Sequence, residues 1–377
     1  MYLTKLVVAL PTCCVDAAEL ARHRGFDPSF PIEGLGVEEF RILYRETLLD
    51  LARMAIDEVG IDDCRMLYVA TESAPDLSKP LGVKLVAGNR ATIEMKFACV
   101  AGSYALMNAW AYTALLGEPA VVLCMDEAIY KAGTSAELTQ GAGVVAMKVD
   151  SMAKKGLELH FEDYGSYVED VDDFTRPITE KHPVVDGKLS IISYLYALKM
   201  ALLDWRKRNA HLIRENVVNS FDYFIYHVPY PKLAQHAFAA LYAMEVLGLD
   251  RKIHVEDLKS NPDLFEEWRA ERKRVMATPE FQKCFEEKVE PSLFLSKRVG
   301  NIYTGSIWMA LASLLTVGGA RGGARIAFGS YGSGMGALAF WARLVGGVEV
   351  VILNPSADKV SVVEYDEWRR GRGLFSS

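Results

Sequence analysis

Short apolar, β-branched runs alternate with stretches of helical spacing through the first half of this chain, and that alternation restricts it most. Val7 to Leu10 reads as a short buried strand. Phe40, Leu43, Tyr44, Thr47, Leu48, Leu51, Met54 and Ala55 recur at helical spacing, with Gly60 where a helix would end. Leu67 to Ala70 reads as a strand running into Thr71-Glu72-Ser73, and Thr92 to Phe97 as another running into Ala98-Cys99. Small and apolar residues then continue to about Leu116 as a buried helix, followed by strands at Ala120 to Met125 and Gly143 to Val149. Strand and helix in turn build layers around a mainly parallel or mixed sheet.

The second half repeats the theme. Residues 165–190 are rich in Asp, Pro, Gly and Thr and read as a long ordered loop, a kind of segment that often carries function. A helix is expected from about Ile191 to Lys207, a strand at Tyr223 to Tyr226, and a helix after Pro231. Residues 255–288 are charged and helical, with Thr278-Pro279-Glu280 as a helix start. A helix after Asn301, a strand at Ile326 to Phe328, a glycine-rich turn and terminal strands to about Leu353 complete the chain, and Gly318 to Gly323 reads as a surface linker. The expectation is two similar α/β halves, 1–165 and 166–377.

The 42 Lys and Arg against 49 Asp and Glu leave a net charge of -7, which excludes broad nucleic-acid binding. The six cysteines, Cys13, Cys14, Cys64, Cys99, Cys124 and Cys284, form no Cys-x-x-Cys pair and have no His at metal-ligand spacing. Neither a zinc site nor a disulfide framework is expected, and free thiols fit a reducing, cytoplasmic compartment. The Leu6–Leu10 run is too short for a signal peptide, and Trp308 to Ala320, broken by Ser, Thr and Gly, cannot span a bilayer.

Three residues stand where an α/β sheet presents chemistry. Cys99 lies between a strand and a helix, where the helix dipole would lower its pKa, and Ala101, Gly102 and Ser103 leave room for a ligand. A buried structural cysteine is the equal alternative. His227 ends an apolar strand, a ligand-binding position, although a lone histidine there is more often a hydrogen-bonded core residue. Glu72, at the edge of a core, would have the raised pKa of a general base; taken alone it reads as a solvated strand-end acid. The run from Gly329 to Gly336 lacks dinucleotide-motif spacing and serves either as a tight turn or as a close backbone approach to a substrate oxygen. No P-loop is present.

Eight motifs connect these positions: Ala-Thr-Glu-Ser (70–73), Glu-Met-Lys-Phe-Ala-Cys (94–99), Thr-Gln-Gly-Ala-Gly-Val-Val-Ala-Met (139–147), Asp-Asp-Phe-Thr-Arg-Pro (172–177), His-Pro-Val-Val-Asp-Gly-Lys-Leu-Ser (182–190), Tyr-His-Val-Pro-Tyr-Pro-Lys (226–232), Gly-Asn-Ile-Tyr-Thr-Gly-Ser (300–306) and Phe-Gly-Ser-Tyr-Gly-Ser-Gly (328–334). In that order they resemble the 3-hydroxy-3-methylglutaryl-CoA (HMG-CoA) synthase family of the thiolase superfamily, from about Leu6 to Leu353. The resemblance implies an α/β thiolase-like fold, two halves in α-β-α-β-α layers. It implies Cys99 as the nucleophile that carries an acetyl group, Glu72 as general acid/base, and His227 and Asn301 as holders of an acetoacetyl thioester. It also implies Ser330 as an oxyanion-hole amide, Tyr130, Asp126 and Asp173 as neighbours of the nucleophile, Lys232 as a contact to coenzyme A, and Arg24 as a contact to its phosphate.

The reaction so implied takes acetyl-CoA, acetoacetyl-CoA and water to HMG-CoA and CoA through an acetyl-cysteine, in the mevalonate route to isoprenoids. It needs no metal or redox cofactor, only coenzyme A thioesters as substrates. A homodimer is expected, with a thiolase or an acyl carrier protein as further partners and no nucleic acid or membrane. Three alternatives share the fold: a β-branching enzyme acting on carrier-protein thioesters, a ketosynthase, and a degenerate interaction protein. Retention of Lys232 and of Tyr303-Thr304 favours free CoA over the first; Glu72 and the Val-Asp-Gly-Lys-Leu-Ser motif argue against the second, and the complete residue set against the third.

Overall fold

The computed structural model describes residues 1–180, 182–250 and 253–371. Ten strands among them form one mixed sheet. The first half contributes β1 (Tyr2–Ala9), β2 (Met66–Ala70), β3 (Ala91–Met95), β4 (Ala120–Ala128) and β5 (Gly141–Asp150). The second contributes β6 (Gly156–Val168), β7 (Tyr223–Tyr226), β8 (Arg325–Gly332), β9 (Gly336–Val345) and β10 (Glu349–Leu353). The order across the sheet is β7-β8-β9-β6-β1-β5-β4-β2-β3, with β10 beside β1.

That order exposes an internal repeat. Counting outward from the seam, the first half places its strands first, fifth, fourth, second, third, and the second half runs β6, β9, β8, β7, the same order without its third strand. In each half the closing strand, β5 or β9, is antiparallel to both neighbours, while β2 with β4 and β7 with β8 are parallel. The seam is β1 against β6, antiparallel at Tyr2–Glu158 and Leu3–Leu157, and then against β10, parallel from Lys5–Glu349 to Ala9–Leu353.

Alternation along each strand decides what covers each face. Val121, Leu123 and Met125 of β4 face α1 (Leu48–Val59), whereas Val122 and Cys124 point the other way into the main core. That core is centred on α2 (Ala101–Leu116) and α5 (Ser306–Thr316), which lie between the halves. Trp110 of α2 meets Phe161 of β6 edge-on at 6.2 Å, and Trp308 of α5 packs 6.0 Å from Phe328 and 6.3 Å from Phe340. Burial of each such phenylalanine contributes roughly 1.5–3 kcal/mol. Outside, α3 (Gly187–Arg208) packs on β6 and β9, and α4 (Pro231–Glu245) covers β7, with Phe238 5.3 Å from Phe224. The layers therefore run α1, first-half strands, α2 with α5, second-half strands, α3 with α4.

Several sequence expectations change. The helix expected from Phe40 starts only at Leu48, where Thr47 caps it in a reciprocal pair with Asp50. Residues 39–42 form instead a strand antiparallel to Cys13–Asp16. The loop expected at 165–190 is shorter, because β6 runs to Val168 and α3 already begins at Gly187. The expected boundary at 165/166 falls inside β6, and we place the division between the halves ahead of Gly156. The glycine-rich turn is confined to residues 333–335, since β8 continues to Gly332. Residues 255–288 form three helices, the last capped by Thr278 as expected.

Gly165 is where β6 lies hard against α3: a β-carbon there would stand 2.2 Å from the Ala201 carbonyl oxygen and 2.3 Å from the Trp205 amide nitrogen. Both obstacles are backbone. Gly165→Ala should therefore destabilise by at least the ~3 kcal/mol at the top of the overpacking range. Gly187→Ala, which meets nothing within 4 Å, should not destabilise. Thermal melting of the two variants checks this; equal midpoints would refute the packing argument.

Candidate active site

The carboxyl ends of parallel strands from both halves converge on one site. β2 lies between β3 and β4, with Ala70 opposite Met95 on one side and Cys124 on the other. Just beyond this level come Glu72, the turn to Cys99 and, still within β4, Asp126. In the second half, His227 follows the last residue of β7 and Ser330 lies beside it within β8, and the His227 amide donates to the Gly329 carbonyl at 2.9 Å.

The Cys99 turn is tight. Ala98 has φ 43°, the left-handed region that a β-carbon disfavours, and α2 starts at Ala101. Cys99 is buried against Ala128, Tyr130 and Tyr303. Its Sγ donates a hydrogen bond to Glu72 Oε1 at 3.0 Å. Here the sequence expectation needs correction. A helix terminus is worth at most about 2 kcal/mol, roughly 1.5 pK units, whereas full burial moves a group by up to ~3–5 units. Burial and then the adjacent Glu72 carboxylate push the thiol well above its ordinary value. The resting form is a thiol whose proton has a carboxylate acceptor beside it.

Glu72 is itself raised to about 7, first by burial and then by Asp126, while the Cys99 hydrogen bond and the positive charge of Arg176 act against the rise. The carboxyl is thus poised to take or give a proton near neutrality.

Asp126 was expected as a neighbour of the nucleophile. It is fully buried and both its oxygens are occupied by the protein. Oδ1 accepts from Thr71 Oγ1 at 3.1 Å, the Glu72 amide at 2.6 Å and Ser73 Oγ at 2.9 Å; Oδ2 accepts from the Thr304 amide at 3.1 Å and from its hydroxyl. Through the Glu72 amide it holds the Glu72 backbone in place. Burial raises it to about 6, with those hydrogen bonds opposing. Asp173 acts in the same manner on the glycine-rich turn, accepting from Tyr331 Oη at 2.7 Å and from the Gly334 amide at 2.9 Å.

Asn301 is buried with its side-chain orientation dictated. Oδ1 accepts from the Tyr303 amide at 2.9 Å and Ser306 Oγ at 2.8 Å, so Nδ2 is turned toward Tyr130 Oη, 3.3 Å away. The amide nitrogen is the end available to a substrate oxygen. His227 is buried, its Nδ1 has no hydrogen-bond partner among the described residues, and burial lowers its pKa to about 3. The ring is neutral throughout the physiological range. Ser330 accepts a hydrogen bond from Ser103 Oγ at 2.8 Å, which ties β8 to the helix that follows Cys99.

The glycines explain how the two halves come so close. A β-carbon on Gly332 would lie 2.7 Å from the Val100 amide nitrogen, and one on Gly102 would lie 2.4 Å from the Thr304 carbonyl oxygen. Lys232 opens α4, partly exposed, with Nζ 3.2 Å from Gln235 Oε1. Arg24 is a correction. Its guanidinium donates to the buried Glu137 at 2.9 and 3.0 Å and to Asp366 at 3.0 Å, so its charge is matched within the protein and not free for a phosphate.

Sequence reasoning gave Arg176 no role, took Ser103 only as a small neighbour of Cys99 and read Thr304 only for the choice between free CoA and carrier protein, although Thr304 and Arg176 lie inside the motifs quoted above. It also missed Arg369 of the helix Val362–Gly371, which donates to the Tyr130 carbonyl and, at 3.1 Å, to Gln140 Oε1. Among the described residues no group of His, Cys, Asp and Glu could hold a metal ion, and no helix is long and apolar enough to cross a membrane.

Known proteins resemble the chain along nearly its whole length. The family described as Hydroxymethylglutaryl-coenzyme A synthase N terminal matches residues 2–154, and its C-terminal counterpart matches residues 159–366. The hydroxymethylglutaryl-CoA synthase of Haloferax volcanii is 32% identical over 369 residues, 88% of this chain and 79% of its own. That of Saccharomyces cerevisiae is 31% identical over 391 residues, 92% of this chain and 75% of its own. The solved structure of MvaS in complex with 3-hydroxy-3-methylglutaryl coenzyme A superposes with a TM-score of 0.80 at 30% identity, covering 99% of this chain and 92% of that one. With its paired strand-end motifs, its repeated sheet and a match along nearly its whole length, the chain belongs to the hydroxymethylglutaryl-CoA synthase family.

Proposed function

We propose that this enzyme condenses acetyl-CoA with acetoacetyl-CoA and water to give HMG-CoA and CoA, and that Cys99, Glu72, His227 and Asn301 carry the chemistry. The observation that carries this reading is the 3.0 Å hydrogen bond from the Cys99 thiol to a carboxyl whose pKa stands at about 7. A lone buried cysteine would have no proton acceptor; this one does.

In the first step Glu72 takes the thiol proton as Sγ attacks the acetyl carbonyl. The C–S bond to coenzyme A breaks and CoA leaves with a proton. In the second, the Glu72 carboxylate removes a proton from the acetyl methyl. The enolate oxygen faces backbone N–H groups at Cys99 and Ser330, each worth ~3 kcal/mol in comparable sites. A thioester acidifies its α-hydrogens more than an oxygen ester does, which accounts for cysteine rather than serine. The enolate carbon then bonds to C3 of acetoacetyl-CoA, whose oxygens are held by Asn301 Nδ2 and the neutral His227 ring. Glu72 returns its proton to the new alkoxide, and water hydrolyses the enzyme thioester, regenerating the thiol. The reading extends to a cytoplasmic homodimer that meets coenzyme A through Lys232.

The reading is tested by the release of free thiol from acetyl-CoA, alone and with acetoacetyl-CoA or acetoacetyl carrier protein as acceptor. Stimulation by the CoA thioester is expected; stimulation by the carrier protein alone would transfer the enzyme to the β-branching class.

Glu72→Ala should keep a slow acetylation, since other bases can take a thiol proton. It should lose condensation by at least the ~10²-fold typical of a missing general base, together with exchange of acetyl-methyl hydrogens into deuterated water. Mass spectrometry of the adduct and NMR of the exchange check both; undiminished exchange would send the search for the base elsewhere.

The base must be ionised, so kcat/KM should rise with pH through an acid limb near 7, the Glu72 value. In the acetyl-enzyme the thiol no longer donates to Glu72, which removes a contact that holds its pKa down. Condensation from preformed acetyl-enzyme should show its acid limb at still higher pH. Limbs at ordinary carboxylate values in both experiments would remove Glu72 from this role.

Lys232→Ala should raise KM for both CoA thioesters with a smaller change in kcat, because a contact remote from the reacting carbon is made about equally in ground and transition states. Steady-state kinetics with each substrate varied in turn decides it; unchanged KM values would leave CoA to other residues.

A further inference from the structure

The second half holds a cavity that the reaction above does not use. Leu198, Leu241 and Met244 of α3 and α4 wall it, Phe224 of β7 lies at its floor, and Trp268 and Arg272 of the helix Pro262–Met276 close it. About 120 Å³ of it is open to the centres of water-sized molecules. One water needs roughly 10–15 Å³ by that measure, so the cavity takes on the order of ten small heavy atoms.

Its lining is largely apolar; the charged members are Lys199 and Asp250, which pair with each other, Glu271 and Arg272, and of these only Arg272 is buried. Arg272 is only 4% exposed, and its guanidinium lies 3.4 Å from the centre of the Trp268 ring. Nε and Nη1 are buried and make no hydrogen bond among the described residues. A buried cation with unused donors is costly, and the complement it lacks is an anion. Cation and apolar walls together select an amphiphile. Asp250 and Glu271 also line the cavity, which disfavours a doubly charged head and favours a single negative charge.

We propose that this cavity binds a single-chain carboxylate of up to about a dozen heavy atoms, its head on Arg272 and its chain along Leu198, Leu241 and Met244. The site is separate from the catalytic one. Tyr226 and Gly329 line the cavity, and the residues that follow them, His227 and Ser330, belong to the catalytic site, so the two sites share strands rather than space.

The test is isothermal calorimetry of the full chain with decanoate below its micellar range, decan-1-ol as the neutral control, and acetyl-CoA as competitor. Saturable one-to-one binding of decanoate is expected, at least tenfold tighter than that of decanol and unchanged by acetyl-CoA. Arg272→Met should weaken decanoate at least tenfold while leaving decanol binding and thiol release intact. Met244→Trp, which fills the cavity and keeps Arg272, should abolish decanoate binding, and it keeps the test decisive should Arg272→Met fail to fold. The proposal is overturned by the absence of saturable binding, by equal affinity for decanol, by binding that survives either variant, or by displacement with acetyl-CoA.

Discussion

A single buried carboxylate holds this active site in register. Asp126 takes hydrogen bonds from Thr71, Ser73 and the amide of Glu72 in the first half, and from the hydroxyl and amide of Thr304 in the second. Left unmatched, a buried charge would cost several kcal/mol. The five donors that offset this cost come from residues 71–73 and from Thr304, which lies 178 residues beyond Asp126. The position of Glu72 is therefore fixed by the docking of the two halves, and so is its pKa, since Asp126 is the charged neighbour that helps to raise it.

The docking is made possible by what is missing. Gly102 and Gly332 let the backbone of one half come within contact distance of the other, at Thr304 and at Val100. Ser103 and Ser330 then add a hydrogen bond across the same junction. Cys99 and Glu72 come from the first half, Asn301 and His227 from the second, so the interface that closes the core is also the one that assembles the site.

Much of this was legible in the sequence. β-branched runs located most of the large sheet's strands, and the strand ends singled out Cys99, Glu72 and His227 before any geometry was known. The errors share a cause. Phe40 and Leu43 satisfy helical spacing, yet residues 39–42 are a strand because Cys13–Asp16 pairs with them, and local periodicity carries no information about that partner. Arg24 looked free because Glu137 and Asp366 are 113 and 342 residues away. The Cys99 thiol was expected low because its helix is visible in the sequence, whereas Glu72, Asp126 and Asp173 around it are not. Asp126 itself is one more acid in an apolar run until its five donors are seen.

The seam at β1 has a consequence for biosynthesis. The first strand made has its inner edge matched by β5, but its other edge waits for β6 and then for β10, at residues 349–353. Thr304, which completes the shell of Asp126, is translated 205 residues after Cys99. At ordinary elongation rates that gap is on the order of 10–40 s. During it the ribosome carries a chain whose thiol lacks its partner half, and whose first strand shows an open edge to any neighbouring nascent chain. Enzymatic competence therefore arrives only as the last strands dock, and until then that bare edge is what the cell's chaperones would have to shield.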